Sequence, residues 1–169
     1  LIRAAEAAHT AHPGGTLTVG DLSLPQGGEI GGHASHRSGR DVDVMFYLQD
    51  ADGTPMPAKA IPIEPDGTGV DYRDLTTADD DVPVRIDVPR TWAFVAALVG
   101  DDRNHVARIF VVEHVRTMLL AEGERVGADA ALLERVGHVT CQPKFPHDDH
   151  MHIRVFCSPD DIDAGCLDT

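Results

Sequence analysis

The stretch GGHASHRSGRDVDVMFYL, from Gly31 to Leu48, changes character halfway along. Up to Gly39 it is a turn that carries His33 and His36. From Asp41 it alternates, with Val42, Val44, Phe46 and Leu48 on one side and Asp41, Asp43, Met45 and Tyr47 on the other. Period-2 alternation predicts a strand with its valine side in the core and both aspartates aimed at whatever lies opposite. A second stretch, HDDHMHIR from His147 to Arg154, is its counterpart. If a strand begins at His150, then His150, His152, Arg154 and Phe156 share one face, and Met151, Ile153, Val155 and Cys157 the other. The two histidines then stand about 6.5–7 Å apart along the strand, on the same side. Neutral imidazoles and carboxylates are ligands that zinc takes, and a catalytic zinc keeps three protein ligands and one open position. One histidine and one aspartate from the first stretch, with one histidine from the second, would make such a site. The pattern predicts a zinc hydrolase.

Outward from these two segments the elements are short. Leu1 to His12 is alanine-rich and reads as a helix stopped by Pro13-Gly14-Gly15. Thr16 to Ser23 reads as a short strand, and Pro25 to Gly32 as a glycine-rich loop leading to His33. From Asp50 to Val88 the chain is proline- and glycine-rich and acidic, which predicts a long loop or insertion, either a cleft wall or a solvated excursion. Pro89 suits the first turn of a helix. Trp92, Val95, Ala96 and Val99 then form the core stripe of that helix, and Gly100 ends it. Ala107 to Glu113 reads as a buried strand and His114 to Ala121 as a short helix with Met118 in the core. Asp129 is placed to cap a helix running to Val136. His9, His12, His105, His114 and His138 are isolated and read as surface or core decoration.

The length of 169 residues predicts one domain, 1–169, with a real core, and 42% hydrophobic and 25% charged residues are globular values. A formal charge of −14 argues against nucleic acid, whose binders carry a basic face. It argues likewise against anionic membrane surfaces, and no apolar run reaches spanning length. The chain begins at Leu1 without a methionine, so the lack of a signal peptide carries no information on compartment. Cys157 and Cys166 bracket the turn-rich SPDDIDAG and are the pair expected to form a disulfide, with Cys141 left over. Such a bridge leans toward an oxidising compartment; three reduced thiols are the alternative.

GGHASHRSGRDVDV together with HDDHMHIR resembles the penicillin-insensitive murein endopeptidases, part of a wider group with the lysostaphin-type and D-Ala-D-Ala metallopeptidases and a hedgehog-like relative. HPGGTLTVGDLS and ARIFVVEHV extend the resemblance over most of the chain. It implies a small α+β fold, an antiparallel-sheet core with flanking helices. It implies a His-x6-Asp…His zinc site, matched here by His36, Asp43 and His152, with His33 as a possible further ligand or a close neighbour. Ser35, Asp41 and Asp148 are candidates for orienting the ligands. His150 is the expected general base, and His147 the group expected to stabilise the oxyanion or protonate the leaving amine. The carboxypeptidase relatives place a glutamate three residues before the last ligand. Asp149 stands there, and a regular strand would point it away from the metal. That departure favours the endopeptidases and histidine-based catalysis.

The substrate implied is peptidoglycan, hydrolysed at the D-alanyl–meso-diaminopimelyl cross-link, in the periplasm or outside the cell. Arg154 could meet a substrate carboxylate or make an ordinary ion pair. No G-x-S-x-G or S-x-x-K arrangement suggests a serine nucleophile. Three other readings stay open. They are a D,D- or L,D-carboxypeptidase, a non-catalytic hedgehog-like zinc module, and a peptidase acting on non-murein peptides. Oligomeric state is unknown from the sequence.

Overall fold

The computed structural model describes residues 1–24, 27–33, 35–163 and 165–166. In chain order the elements are α1 (Ile2–Ala11), β1 (Val19–Leu22), β2 (Asp41–Met45), β3 (Leu48–Gln49), β4 (Pro55–Met56), β5 (Thr68–Asp71) and β6 (Val82–Ile86). There follow α2 (Val88–Gly100), β7 (Val106–Phe110), α3 (Glu113–Arg125), α4 (Ala130–Val139), β8 (Thr140–Cys141), β9 (His150–Val155) and α5 (Pro159–Asp163). The strands form a five-stranded sheet, ordered β1-β2-β9-β7-β8, and a four-stranded sheet, ordered β4-β3-β6-β5. All neighbours are antiparallel except β7 and β8. This is a small α+β fold, as expected.

One face of the larger sheet buries Val44, Ile109, Met151 and Ile153. Against that core lies α2, capped by Asp87, whose side chain accepts from the Arg90 N–H. Trp92, Phe94, Val95 and Leu98 are its buried side chains. α3 approaches α2 at Gly123, where a Cβ would stand 2.6 Å from the Trp92 ring. Asp129 caps α4 as expected, accepting from the N–H groups of Ala131 and Leu132. Met118 is only partly buried and packs at the edge of the core.

Four local expectations are corrected. The central strand stops at Met45 rather than Leu48, because Phe46 and Tyr47 carry the chain from one sheet to the other. Tyr47 is therefore buried, its ring 6.3 Å from Phe94 and 5.9 Å from the Arg90 guanidinium, not on the aspartate face. The stretch 50–88 is not a plain loop, since β4, β5 and β6 lie in it and build the second sheet with β3. Strands of two to five residues interrupted by proline and glycine show too little alternation to be read. β7 ends at Phe110, and α3 runs on to Arg125 instead of stopping at Ala121. Of the loop read from Pro25 to Gly32, Pro25 and Gln26 lie outside the described residues. The Cys157–Cys166 disulfide is formed around α5, and Cys141 is a free thiol.

Candidate metal centre

β2 and β9 pair with Asp41 opposite Arg154, Asp43 opposite His152 and Met45 opposite His150. Since Val44, Met151 and Ile153 fill the core face, parity sends these six side chains to the other face. The turn before β2 delivers His33 and His36 to the same place. Gly39 holds that turn with a left-handed φ of 78°, its N–H donating to Ser23 Oγ at 2.8 Å.

Three donor atoms make a near-equilateral triangle. His36 Nε2 lies 3.2 Å from Asp43 Oδ1 and 3.3 Å from His152 Nδ1, and that nitrogen is 3.3 Å from Asp43 Oδ1. A tetrahedron with ligands at about 2.0 Å has edges of about 3.3 Å, so one cation fits with its fourth position open. Asp43 Oδ1 is buried and, among the described residues, has no hydrogen-bond partner, as expected of an atom built to face a cation. His33 Nδ1 is 3.8 Å from Asp43 Oδ2. The donors of His33, His36 and Asp43 all lie within 4.8 Å of one another, which leaves His33 in reach of the same ion.

The surroundings settle which ring nitrogens carry protons. Asp41 Oδ1 accepts from His152 Nε2 at 2.8 Å, so the lone pair of His152 Nδ1 faces the triangle. Ser35 Oγ is 3.4 Å from the same Nε2. Asp21 on β1 accepts from His33 Nε2 at 3.0 Å and turns its Nδ1 inward. His36 is fully buried, and burial is the largest influence lowering its pKa, which favours the neutral ligand form. Burial works against ionisation of Asp41 and Asp43. Asp41 stays below the usual carboxylate range through hydrogen bonds from His152 and Arg154, and Asp43 through His150 and the neighbouring imidazoles.

His150 and His147 lie beside the triangle. His150 Nδ1 is 2.5 Å from Asp149 Oδ1, and its Nε2 is 3.4 Å from Asp43 Oδ1. Burial pulls the His150 pKa down, but hydrogen bonding to Asp149 and the charges of Asp149 and Asp43 prevail and raise it to about 9. His147 Nδ1 is 3.0 Å from the Phe145 carbonyl, which can only accept, so Nε2 is left as an acceptor. Burial is the main reason its pKa is lowered. The His147 ring lies 4.9 Å from that of His150 and 5.5 Å from that of His152.

Asp149 meets the site through His150, on the Nδ1 side of a ring whose Nε2 is the nitrogen near Asp43. β9 starts at His150, so Asp149 precedes the strand and its carboxylate turns onto the His150 ring. Asp21 had no signal, being on another strand. Phe110 was also missed; it packs edge-on to His152 at 5.3 Å and under the Arg154 guanidinium at 5.6 Å. Of the other candidates, Asp148 offers its backbone carbonyl to Ile63 and, among the described residues, no side-chain bond to the imidazoles. Arg154 donates from Nε to Asp41 at 2.8 Å, the ion-pair alternative, while its side chain still lines the cleft. That cleft, of ≈ 350 Å³, lies between the His33–His36 turn and the Pro143–Phe145 segment, over Phe110, His147 and His152. A larger groove of ≈ 760 Å³ beside α1 contains none of the clustered imidazoles.

Fold and site together define a small α+β protein with a buried His/Asp cluster able to hold one cation at the floor of a cleft. The comparisons agree with that class and sharpen it. Residues 1–168 match the family described as penicillin-insensitive murein endopeptidase, and the chain belongs to that family. Proteins so named are 32% identical over 162 residues in Salmonella arizonae, covering 92% of this chain and 52% of that one. In Yersinia enterocolitica the figures are 34% over 160 residues, 91% and 49%. In Citrobacter koseri they are 32% over 155 residues, 89% and 48%. The chain thus spans about half the length of the curated relatives it matches. Among the described residues no helix is long and apolar enough to cross a membrane.

Proposed function

We propose that this chain is a zinc-dependent peptidoglycan endopeptidase that hydrolyses the D-alanyl–meso-diaminopimelyl cross-link. The observation that carries the reading is the triangle of His36 Nε2, Asp43 Oδ1 and His152 Nδ1 at 3.2–3.3 Å, with Asp41 keeping the His152 lone pair inward. His36, Asp43 and His152 would hold the ion, with His33 beside them. When bound, zinc supplies a Lewis acid that acidifies water and polarises a carbonyl.

The remaining chemistry belongs to the chain. With Asp43 engaged as a ligand, the Asp149 carboxylate is the group left to hold His150. The imidazole keeps its Nδ1 proton on Asp149, and with the Asp43 charge that helps raise its pKa taken up by the ion, Nε2 beside Asp43 is free to accept a proton as the general base. The proton it gains at Nε2 is balanced by the Asp149 charge. His147 presents Nε2 as an acceptor and becomes a donor to a developing oxyanion or a leaving amine only after protonation. The Phe145 carbonyl holds it in place in either form. Phe110 and the Pro143–Phe145 segment line the cleft in which the reacting bond would sit.

The family membership and the Cys157–Cys166 bridge support action outside the cytoplasm, in the periplasm or after secretion. Digestion of cross-linked muropeptide dimers by zinc-loaded and chelator-treated protein, read by mass spectrometry, tests the proposal. Conversion of dimers to monomers only with zinc is expected. Release of a single terminal alanine would make the chain a carboxypeptidase, and absence of any product from folded, zinc-loaded protein would leave a binding module.

A further inference from the structure

The cations of this acidic chain are mostly paired. Arg3 and Arg103 bind Asp101, Arg37 binds Glu29, Lys59 and Arg73 bind Asp71, and Arg116, Arg125 and Arg135 each hold a carboxylate. Lys144 is different. It lines the cleft over the candidate metal centre, it is exposed, and among the described residues its ammonium meets no carboxylate. Its ammonium lies 5.7 Å from the centre of the Phe145 ring, and Phe145 is itself 74% exposed. In a chain of net charge −14 an unpartnered lysine beside an exposed aromatic is well suited to receive an anion.

The wall that carries Lys144 is tied down. Gln142 Oε1 accepts from the Glu113 N–H at 2.8 Å, the His147 carbonyl accepts from the Val112 N–H at 2.9 Å, and the Phe145 carbonyl holds His147. Lys144 is thus displayed from a segment anchored at both ends to the start of α3. Arg154 lines the same cleft, and because Nε makes its hydrogen bond to Asp41, the two terminal nitrogens remain for the cleft. Phe110 lies under that guanidinium, its ring centre 5.6 Å away.

We infer that Lys144, with the terminal nitrogens of Arg154, forms a carboxylate-recognising subsite that selects substrates bearing a free carboxylate near the scissile bond. The inference rests on the proposed peptidoglycan substrate, whose stem peptides offer two such groups, the side-chain carboxylate beside the cross-link and the stem terminus. A carboxylate here would be held by two cations that line one cleft. Lys144 is a specificity residue and takes no part in the bond cleavage.

The test measures binding as well as turnover. Three muropeptide dimers are compared, one with all carboxylates free, one amidated beside the cross-link and one amidated at the stem terminus. Each is titrated calorimetrically into metal-free protein and digested by zinc-loaded protein, for the parent, Lys144→Gln and Lys144→Arg. An exposed pair supports about a two- to fivefold preference, falling as salt is raised. The parent is expected to prefer the free dimer over one of the amidated forms, and that form identifies the carboxylate recognised. The preference should collapse toward unity in Lys144→Gln and return in Lys144→Arg. Equal affinity of the parent for all three dimers, or a preference unchanged in Lys144→Gln, overturns the subsite. Cleavage without preference removes the subsite and leaves the proposed activity. Preference in binding without cleavage keeps the subsite and removes the activity.

Discussion

Asp41 lets the metal centre be probed without touching a ligand. It is 2% exposed and accepts two hydrogen bonds at 2.8 Å, from His152 Nε2 and Arg154 Nε. In Asp41→Ala the His152 ring loses the partner that fixes its tautomer and rotation, and Arg154 loses its counter-charge. Removing such a carboxylate behind a metal-binding histidine weakens metal affinity by about 10–100-fold. At about 1.4 kcal/mol per tenfold, that is roughly 1.4–2.7 kcal/mol of binding free energy. With free zinc at a thousand times the parent dissociation constant, the parent gains about 4.1 kcal/mol of stability from the metal. Asp41→Ala should then gain only about 1.4–2.7 kcal/mol. The metal-free variant carries a separate cost of roughly 1.5–3 kcal/mol per hydrogen bond lost from a charged group. Urea unfolding with and without zinc separates the two effects, and competition against a chromophoric chelator gives the affinity directly. Asp41→Asn keeps an oxygen acceptor and should fall between parent and alanine. A folded Asp41→Ala that binds zinc within twofold of the parent would refute the arrangement, since His152 Nδ1 would then owe nothing to Asp41.

Further expectations follow from other parts of the molecule. Gly123→Ala gains helix propensity of about 1 kcal/mol but sets a methyl 2.6 Å from the Trp92 ring and 2.7 Å from Leu133. The clash should dominate and lower stability by about 1–3 kcal/mol, read as a reduced urea midpoint; a raised midpoint would show that α3 can move away from α2 at no cost. Hydrogen bonds from Arg125, at 2.6 and 2.7 Å, are the main cause of the depressed pKa of Glu122. A depressed folded-state pKa contributes stability above the unfolded value, lost as pH falls through the folded one. Glu122→Gln should flatten the fall in stability below about pH 4.5, and because Arg125 is largely exposed the difference should stay under about 1 kcal/mol. Reduction of Cys157–Cys166, which closes a separation of nine residues, should cost up to about 3 kcal/mol, checked by unfolding with and without reductant.

Much of the site was legible because strand parity is a local property. Alternation alone separates Val44 and Ile153 from Asp43 and His152, and the structure keeps that division residue by residue. The stops of α1 and α2 and the Asp129 cap of α4 were equally local, whereas α4 runs on to Val139, past the expected end at Val136. The resemblance then singled out His36, Asp43 and His152 among several equivalent donors, and the tertiary structure brings their three donor atoms together. What stayed hidden depended on contacts between distant segments. Nothing near Asp21 in sequence indicates that it would hold His33. Nor does strand parity say what Asp149, one residue before β9, would meet; its partner is the neighbouring His150 ring. The second sheet was invisible because its strands are too short to show a period and because β3 finds β6 across 36 to 38 residues of chain. That Lys144 lines the cleft without a carboxylate partner among the described residues could be seen only in the folded chain. Within β2 and β9 the order of residues alone sorts core from cleft side chains, since that follows from backbone geometry one residue at a time, and it fails at Tyr47, where the strand has already ended. Which lone pairs point at one another needs the folded molecule, because register, tautomer and hydrogen-bond partners are set by the whole chain closing on itself.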